Sequence, residues 1–287
     1  MPIDELTRKA VKFFSNKTAQ KFPDLYHYTS MSVLHSMLFS SHEIWFSEAS
    51  VLNDTKELLD FIDNLMDATG KIIQPENKLK HQKFFEKVRA QLPSQYPYVF
   101  CFSRRADDAA QWERYGDNAS GVCIKFNTKN FSKMLYSLCW DAFLQEVFYN
   151  YDASAHQHCS IVQKWIDEGV VEGFSNEDDM INNIIATSSS YKHRSFMAED
   201  EVRAIVLSSP SDSNFSFEVH NGIVKKTIKL NFFDQCKELD MDVQDLFEEI
   251  VIGPRAEQNI DTYKEFLMAN HFDRLAEMVK KSECPLR

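Results

Sequence analysis

Phe196-Met197-Ala198-Glu199-Asp200-Glu201-Val202-Arg203-Ala204-Ile205-Val206 sets three charges two residues apart at the front of an apolar run. In a β-strand, alternate side chains leave from the same face, so Glu199, Glu201 and Arg203 would line one side. Val202, Ala204 and Val206 take the other parity, and Ile205 and Leu207 continue the strand on the charged side. Two carboxylates and a guanidinium so placed make either a polar site beside a cleft or the salt-bridge ladder of an edge strand. What the chain packs opposite this strand decides between them.

Working outward, the pattern alternates short strands with helices. An amphipathic helix is expected over 4–20, stopped near Pro23. Strands are expected over 25–29, 43–47, 98–103, 121–126, 144–151 and 249–252, and again over a last short stretch near the C-terminus. Two more strands, 215–220 and 223–230, flank Asn221-Gly222, a strong hairpin signal. Ser30 caps a helix over 31–39, and Asp54 with Glu57 has the capping-box spacing for a helix through Leu65. Asp107 or Asp108 opens a helix that Gly116 ends, and Thr128 caps a short helix. Further helices are expected over 155–168, 177–192, 243–248 and 256–270. No internal repeat or linker divides the chain, so one α+β domain spans 1–287, with residues 1–24 as an N-terminal helix.

Composition narrows the function classes. The 287 residues are 44% hydrophobic and 13% aromatic, with 23 Phe, enough for a sizeable core. A formal charge of −11 argues against a broad non-specific nucleic-acid surface, which depends on neutralising phosphates. Lys192-His193-Arg194 is a candidate local basic patch, as are Lys225, Lys226 and Lys229, the latter more simply a solvated face. Only seven Gly occur, and none builds a G-x-G-x-x-G or Walker loop. The six Cys are scattered without a C-x-x-C pair and read as reduced thiols. With no membrane-spanning run and no signal-peptide layout, a cytoplasmic location is expected.

A series of motifs in order resembles a family of bacterial proteins catalogued as a domain of unknown function. They begin with Leu25-Tyr26-His27-Tyr28-Thr29-Ser30, Trp45-Phe46-Ser47, Asn53-Asp54-x-x-Glu57 and Cys101-Phe102-Ser103. Trp112-x-x-Tyr115, Gly121-Val122-x-Ile124, Glu199-x-Glu201-x-Arg203, Ile252-Gly253-Pro254 and the terminal Ser282-x-x-Pro285-x-Arg287 continue them. Phe196 departs from the pattern, where the family more often carries Trp. The resemblance extends over about 25–287 and implies an ADP-ribosyltransferase-like core, a split β-sheet with surrounding helices and helical insertions. It implies NAD as co-substrate, with Glu201 as the acid that engages its ribose and Glu199 orienting or deprotonating the acceptor. His27, Tyr28 and Thr29 on the first strand, Trp45, Phe46 and Ser47 on the second, and Arg203 are then the NAD-binding candidates. Such a protein would be a bacterial toxin or anti-phage effector modifying a nucleic acid or a protein, with an antitoxin as partner.

Those residue types suit the chemistry. Breaking the nicotinamide–ribose bond builds positive charge on the ribose, which a carboxylate stabilises. Nicotinamide is a flat cation, and Tyr28, Trp45 or Phe46 can floor it. Arg203, Lys192 or Arg194 can balance the pyrophosphate. The residues also have plainer readings. His27 suits a packed core position, Trp112 and Tyr115 suit core packing, and Gln111 and Arg114 suit the surface. Asn53-Asp54 suits a helix cap, Asp54, Asp60 and Asp63 a solvated helix face, and His156-Gln157-His158-Cys159 a helix start rather than a metal cluster. Two other functions stay open: a non-catalytic module that binds a nucleotide or partner in the same cleft, and a metal-dependent nuclease using Glu199, Glu201 and Asp54.

Overall fold

The computed structural model describes residues 5–51, 56–138, 141–149, 157–207, 215–220 and 223–286. Among the described residues ten strands form one sheet: β1 (Leu25–Thr29), β2 (Glu43–Glu48), β3 (Tyr98–Ser103), β4 (Val122–Phe126), β5 (Asp141–Glu146), β6 (Glu201–Leu207), β7 (Phe215–His220), β8 (Ile223–Asn231), β9 (Phe247–Ile252) and β10 (Val279–Lys281). All pair antiparallel except β9 with β10, and helices surround them, so the fold is α+β as expected. The proposed Asp54 cap and the Asn221-Gly222 turn lie outside the described residues.

β3 is where the sheet branches. One of its edges pairs with β6 along its whole length, from Tyr98 opposite Val206 to Ser103 opposite Glu201. The other edge is shared. β2 holds its start, through Ser47–Val99 and Glu48–Tyr98, and β1 holds its end, through Tyr26–Ser103 alone. Beyond these contacts β1 runs into β4, β9 and β10, and β2 runs into β8 and β7. The sheet is therefore split, with Phe100, Cys101 and Phe102 bordering the gap between its two arms.

β6 is internal, flanked by β3 and β5. That removes the edge-strand ladder as an explanation of its charges. Its Val202, Ala204 and Val206 enter the main core with Phe100 and Phe102. Phe100, Phe102, Phe126 and Phe131 meet there at centroid distances of 5.0 to 6.3 Å, within the range at which rings attract edge-on or offset. A second core joins helices Lys56–Gly70, Lys78–Gln91, Gln157–Glu168 and Glu177–Ser188. It includes Tyr191, stacked on Phe61 at 4.3 Å, and so fixes the chain just before Lys192.

Several boundaries differ from expectation, each for a local reason. Glu199 is not on the strand: it ends a 3-10 helix, Arg194–Glu199, and Asp200 turns the chain with φ 46° before β6 begins. β5 ends at Glu146 because Val147 donates its N–H to the Glu201 carbonyl and Phe148 bridges to Tyr191 instead. Asn127, not Thr128, caps the short helix, accepting from Asn130 N at 3.0 Å. Asn259 likewise starts its helix at Ile260, leaving residues 256–258 outside. Residues 243–246 form a single 3-10 turn, and β9 starts earlier, at Phe247. Helix Lys78–Gln91 was not anticipated at all.

Candidate functional site

The gap in the sheet opens on a pocket of about 370 Å³, within the usual range for small-molecule sites. His27 from β1, Trp45 and Ser47 from β2, and Val99, Phe100 and Cys101 from β3 line it, with Tyr115 from helix Ala109–Tyr115. Glu43, Ser36 and Ser41 supply further polar groups. Among the described residues, no Lys or Arg lines it.

His27 bridges the split. Its Nδ1 lies 2.9 Å from the Cys101 carbonyl, which can only accept, so Nδ1 carries the proton and Nε2 is left as an acceptor. The ring stacks on Phe100 at 4.2 Å. Burial pushes its pKa down to about 4, partly countered by the carbonyl contact, so the imidazole is neutral at pH 7. Trp45 is 42% exposed. Its indole N–H donates to Glu43 at 2.9 Å, and the Lys229 ammonium sits 4.4 Å from its ring centroid. That pins the indole while its other face remains available for stacking.

Behind Cys101 lies a buried ionic cluster. Cys101 pairs directly with Arg203 across β3 and β6, and its thiol lies close enough to Glu201 to feel its charge. Burial and the Glu201 charge raise the Cys101 pKa, so it is a thiol and not a nucleophilic thiolate. Glu201 receives Arg203 Nε at 2.8 Å and Nη2 at 3.2 Å, and the Lys192 ammonium at 2.8 Å. Burial alone would raise its pKa; the two cations outweigh that and hold it at about 2. The Arg203 guanidinium also donates to the Ser189 carbonyl, and Tyr149 Oη accepts from Glu201 N at 2.8 Å.

Glu199 joins this cluster through the Asp200 turn. On a continuous strand, Cα atoms two residues apart are separated by roughly 6.5 Å and their side chains run parallel. Here both carboxylates converge on Lys192, which lies 2.6 Å from Glu199 and 2.8 Å from Glu201. Arg104 fixes the turn, with its backbone N–H on the Asp200 carbonyl and its Nε 2.9 Å from the Asp200 carboxylate. Glu199 then links back to the pocket: Tyr115 Oη donates to it at 2.8 Å and Arg114 Nη1 at 3.1 Å. Ser103 Oγ and Gln111 Nε2 hold its backbone carbonyl at 2.8 and 3.2 Å.

The structure thus brings His27, Trp45 and Ser47 into one pocket, with Glu201, Glu199 and Arg203 directly behind its Cys101–Tyr115 wall. It does not bring in the other three candidates. Phe46 is fully buried in the main core, since it has the opposite parity to Trp45. Tyr28 turns to the face opposite His27, packing edge-on against Trp112 at 5.0 Å with its hydroxyl donating to the Arg105 carbonyl. Thr29 is buried, with its carbonyl against Gly121. Lys192 is no surface patch but a buried counter-ion. Gln111 is buried, not on the surface; Arg114 is half-exposed as expected, and both it and Tyr115 bond Glu199. Their spacing gave no sign of this, because the helix was short and its partner, Glu199, is 84 residues from Tyr115. His158, in the histidine-cysteine run, faces Asn183 at 2.8 Å.

Residues 111–204 match a family model described as protein of unknown function (DUF2971). That matched segment opens on Gln111 and closes one residue past Arg203. It therefore contains the cluster's partners Gln111, Arg114, Tyr115, Lys192, Glu199, Glu201 and Arg203, whereas His27, Trp45 and Ser47 precede it. No curated protein and no solved structure matches the chain. Among the described residues, no helix is long and apolar enough to cross a membrane.

Proposed function

We propose that the chain is an NAD-dependent ADP-ribosyltransferase whose co-substrate enters the gap in the split sheet. The observation that carries this reading is the placement of an exposed Trp45 and a neutral His27 on the two arms of the split, with an ionised Glu201 behind the wall between them. The pocket chemistry suits the nicotinamide end of NAD. Trp45 offers an aromatic face to a flat cation, and Glu43 and the His27 Nε2 offer acceptors.

In the reaction, the bond between nicotinamide and ribose breaks and nicotinamide leaves as a neutral molecule. The acceptor nucleophile bonds the ribose C1 and loses its proton. Glu201 stabilises the positive charge that develops on the ribose, in a site where exclusion of water strengthens the interaction. Arg203 Nε and Nη2 and the Lys192 ammonium take three of a carboxylate's about four acceptor positions, so Glu201 acts on the ribose chiefly through its charge. Toxin or anti-phage activity on a nucleic acid or protein, held in check by an antitoxin, is part of the same proposal.

One observation favours a second reading. Both Glu201 oxygens are already engaged by Arg203 and Lys192, as in a cluster that only shapes a binding cleft. The chain would then be a non-catalytic nucleotide- or partner-binding module. The nuclease reading is weaker, because the Lys192 ammonium occupies the position a metal would take between Glu199 and Glu201.

Calorimetry with NAD and an assay for released nicotinamide, run on wild type and Glu201→Gln, separate these. Transferase function requires wild-type turnover that falls at least a hundredfold in a folded Glu201→Gln protein. Binding without turnover selects the module, and absence of NAD binding removes the transferase and leaves only a module for another ligand or partner.

A further inference from the structure

The sequence offers Arg203, Lys192 and Arg194 to balance a ligand's phosphates, and the structure withdraws the first two. Arg203 and Lys192 are buried and committed to Glu201 and Glu199. Among the described residues the pocket is lined by one carboxylate, Glu43, one neutral imidazole and no Lys or Arg, so it is a poor place for a phosphate. A nucleotide entering it must leave its phosphates at the rim.

Arg114 is the chain neighbour of Tyr115 in the pocket wall. Its guanidinium and the hydroxyl of the pocket-lining Tyr115 are bonded to the same oxygen, Glu199 Oε1. The side chain is 51% exposed. Only Nη1 is used; the other N–H donors of its fork have no partner among the described residues. Nor is the charge needed where it stands, because Lys192 already holds the other Glu199 oxygen at 2.6 Å. A planar fork with one tine anchored and the rest turned to solvent is the geometry for a phosphate group.

We infer that Arg114 binds the diphosphate of a nucleotide whose ring end occupies the pocket, with Glu199 holding the guanidinium in place. This rests on the nucleotide-binding reading of the pocket. It makes Arg114 a specificity-determining residue: it selects phosphorylated ligands over their nucleosides.

Titration of wild type, Arg114→Gln and Arg114→Lys with NAD and with nicotinamide riboside, which lacks the diphosphate, tests it. A charge-assisted hydrogen bond implies that Arg114→Gln weakens NAD about tenfold and leaves the riboside unchanged. Arg114→Lys should recover part of the NAD loss, and raised salt should narrow the gap between wild type and Arg114→Gln. Equal losses on both ligands, or no loss on NAD, overturn the assignment of Arg114 while leaving the pocket reading intact. Failure of wild type to bind either ligand overturns the pocket reading itself, and this inference with it. A thermal melt of each variant identifies any loss due to unfolding, and nicotinamide riboside binding serves as the internal control.

Discussion

The His27 ring and the Cys101 carbonyl are joined at 2.9 Å across the place where the two arms of the sheet part. β1 and β3 share a single registered pair, Tyr26 with Ser103, so their backbones do not close this gap. A side chain satisfies a strand carbonyl that a neighbouring strand would otherwise take, and the cleft stays open without an orphaned acceptor. The same contact fixes the tautomer, which leaves Nε2 able to accept from a ligand.

It follows that His27 titrates well below an ordinary histidine, near pH 4. Its pKa is lower in the folded chain than in the unfolded one, so the unfolded state binds the proton first as pH falls. The contribution to stability is full above about pH 6.5 and is lost as pH falls toward 4. Ring resonances followed by NMR should place the His27 midpoint near 4; a midpoint above 6 would show that the ring is not held in this neutral, buried form. His27→Phe should flatten the stability profile over that window.

Glu201 has its own, lower window. Its folded pKa of about 2 lies below the ordinary carboxylate value, so its contribution is present above about pH 4.5 and lost as pH falls toward 2. Removing the charge at neutral pH leaves Arg203 and Lys192 buried without their shared partner, at a cost of about 3–5 kcal/mol. Urea denaturation of Glu201→Gln measures this. A loss under 1 kcal/mol would mean that the cluster is far more hydrated than its burial implies.

Tyr115→Phe isolates the hydroxyl that ties the pocket wall to Glu199. Burial first, and the Glu199 charge second, raise the Tyr115 pKa, so it is a donor across the physiological range. Lys192 and Arg114 keep Glu199 paired in the variant, so the expected destabilisation is modest, about 1–2 kcal/mol. Nucleotide affinity should fall with it as the ring loses its anchor. A melting temperature that drops while affinity is unchanged would make the hydroxyl structural only.

The strands and the main core were legible because their signals are local. Leu25–Thr29 and Tyr98–Ser103 are dense in aromatic residues, and Val202, Ala204 and Val206 hold the parity that β6 requires. The ionic cluster was half legible. Glu201 and Arg203 fell correctly on one strand face, but the left-handed Asp200 that redirects Glu199 has no reliable sequence signature, since Asp adopts that conformation only occasionally. Lys192 looked like a surface cation because nothing in its neighbourhood announces a carboxylate seven and nine residues on. Helix Lys78–Gln91 carried a readable signal, with His81, Phe84, Phe85 and Val88 on one buried face, but the many lysines around it obscured the period. The split itself depends on which strands pair with β3, a long-range fact that no local pattern encodes.

Gly121 is a point where packing leaves no choice of residue. A methyl group there would collide with the Thr29 carbonyl oxygen at the end of β1, and would also press on the backbone of Gly116. Both are backbone atoms held by the β1–β4 ladder and the helix end, so neither can swing away. Gly121→Ala should destabilise the chain by about 1–3 kcal/mol, the usual range for overpacking, and denaturant unfolding reads it directly. A wild-type midpoint would show that β1 and β4 can shift apart without cost.

Trp45→Ala offers the sharpest division between binding and folding. The indole is largely outside the core, and its anchors, Glu43 and Lys229, remain near each other across β2 and β8 without it. Stability should therefore change by less than about 1 kcal/mol, as for most exposed positions. Stacking of an aromatic ligand ring is worth about 1–3 kcal/mol, so nucleotide affinity should fall roughly tenfold to a hundredfold. Isothermal titration with NAD, paired with a thermal melt, gives both numbers on one sample. Unchanged affinity would move the ligand ring away from β2 and leave His27 and Tyr115 as the walls it contacts; an unfolded variant would instead reveal that the indole closes the sheet at the split.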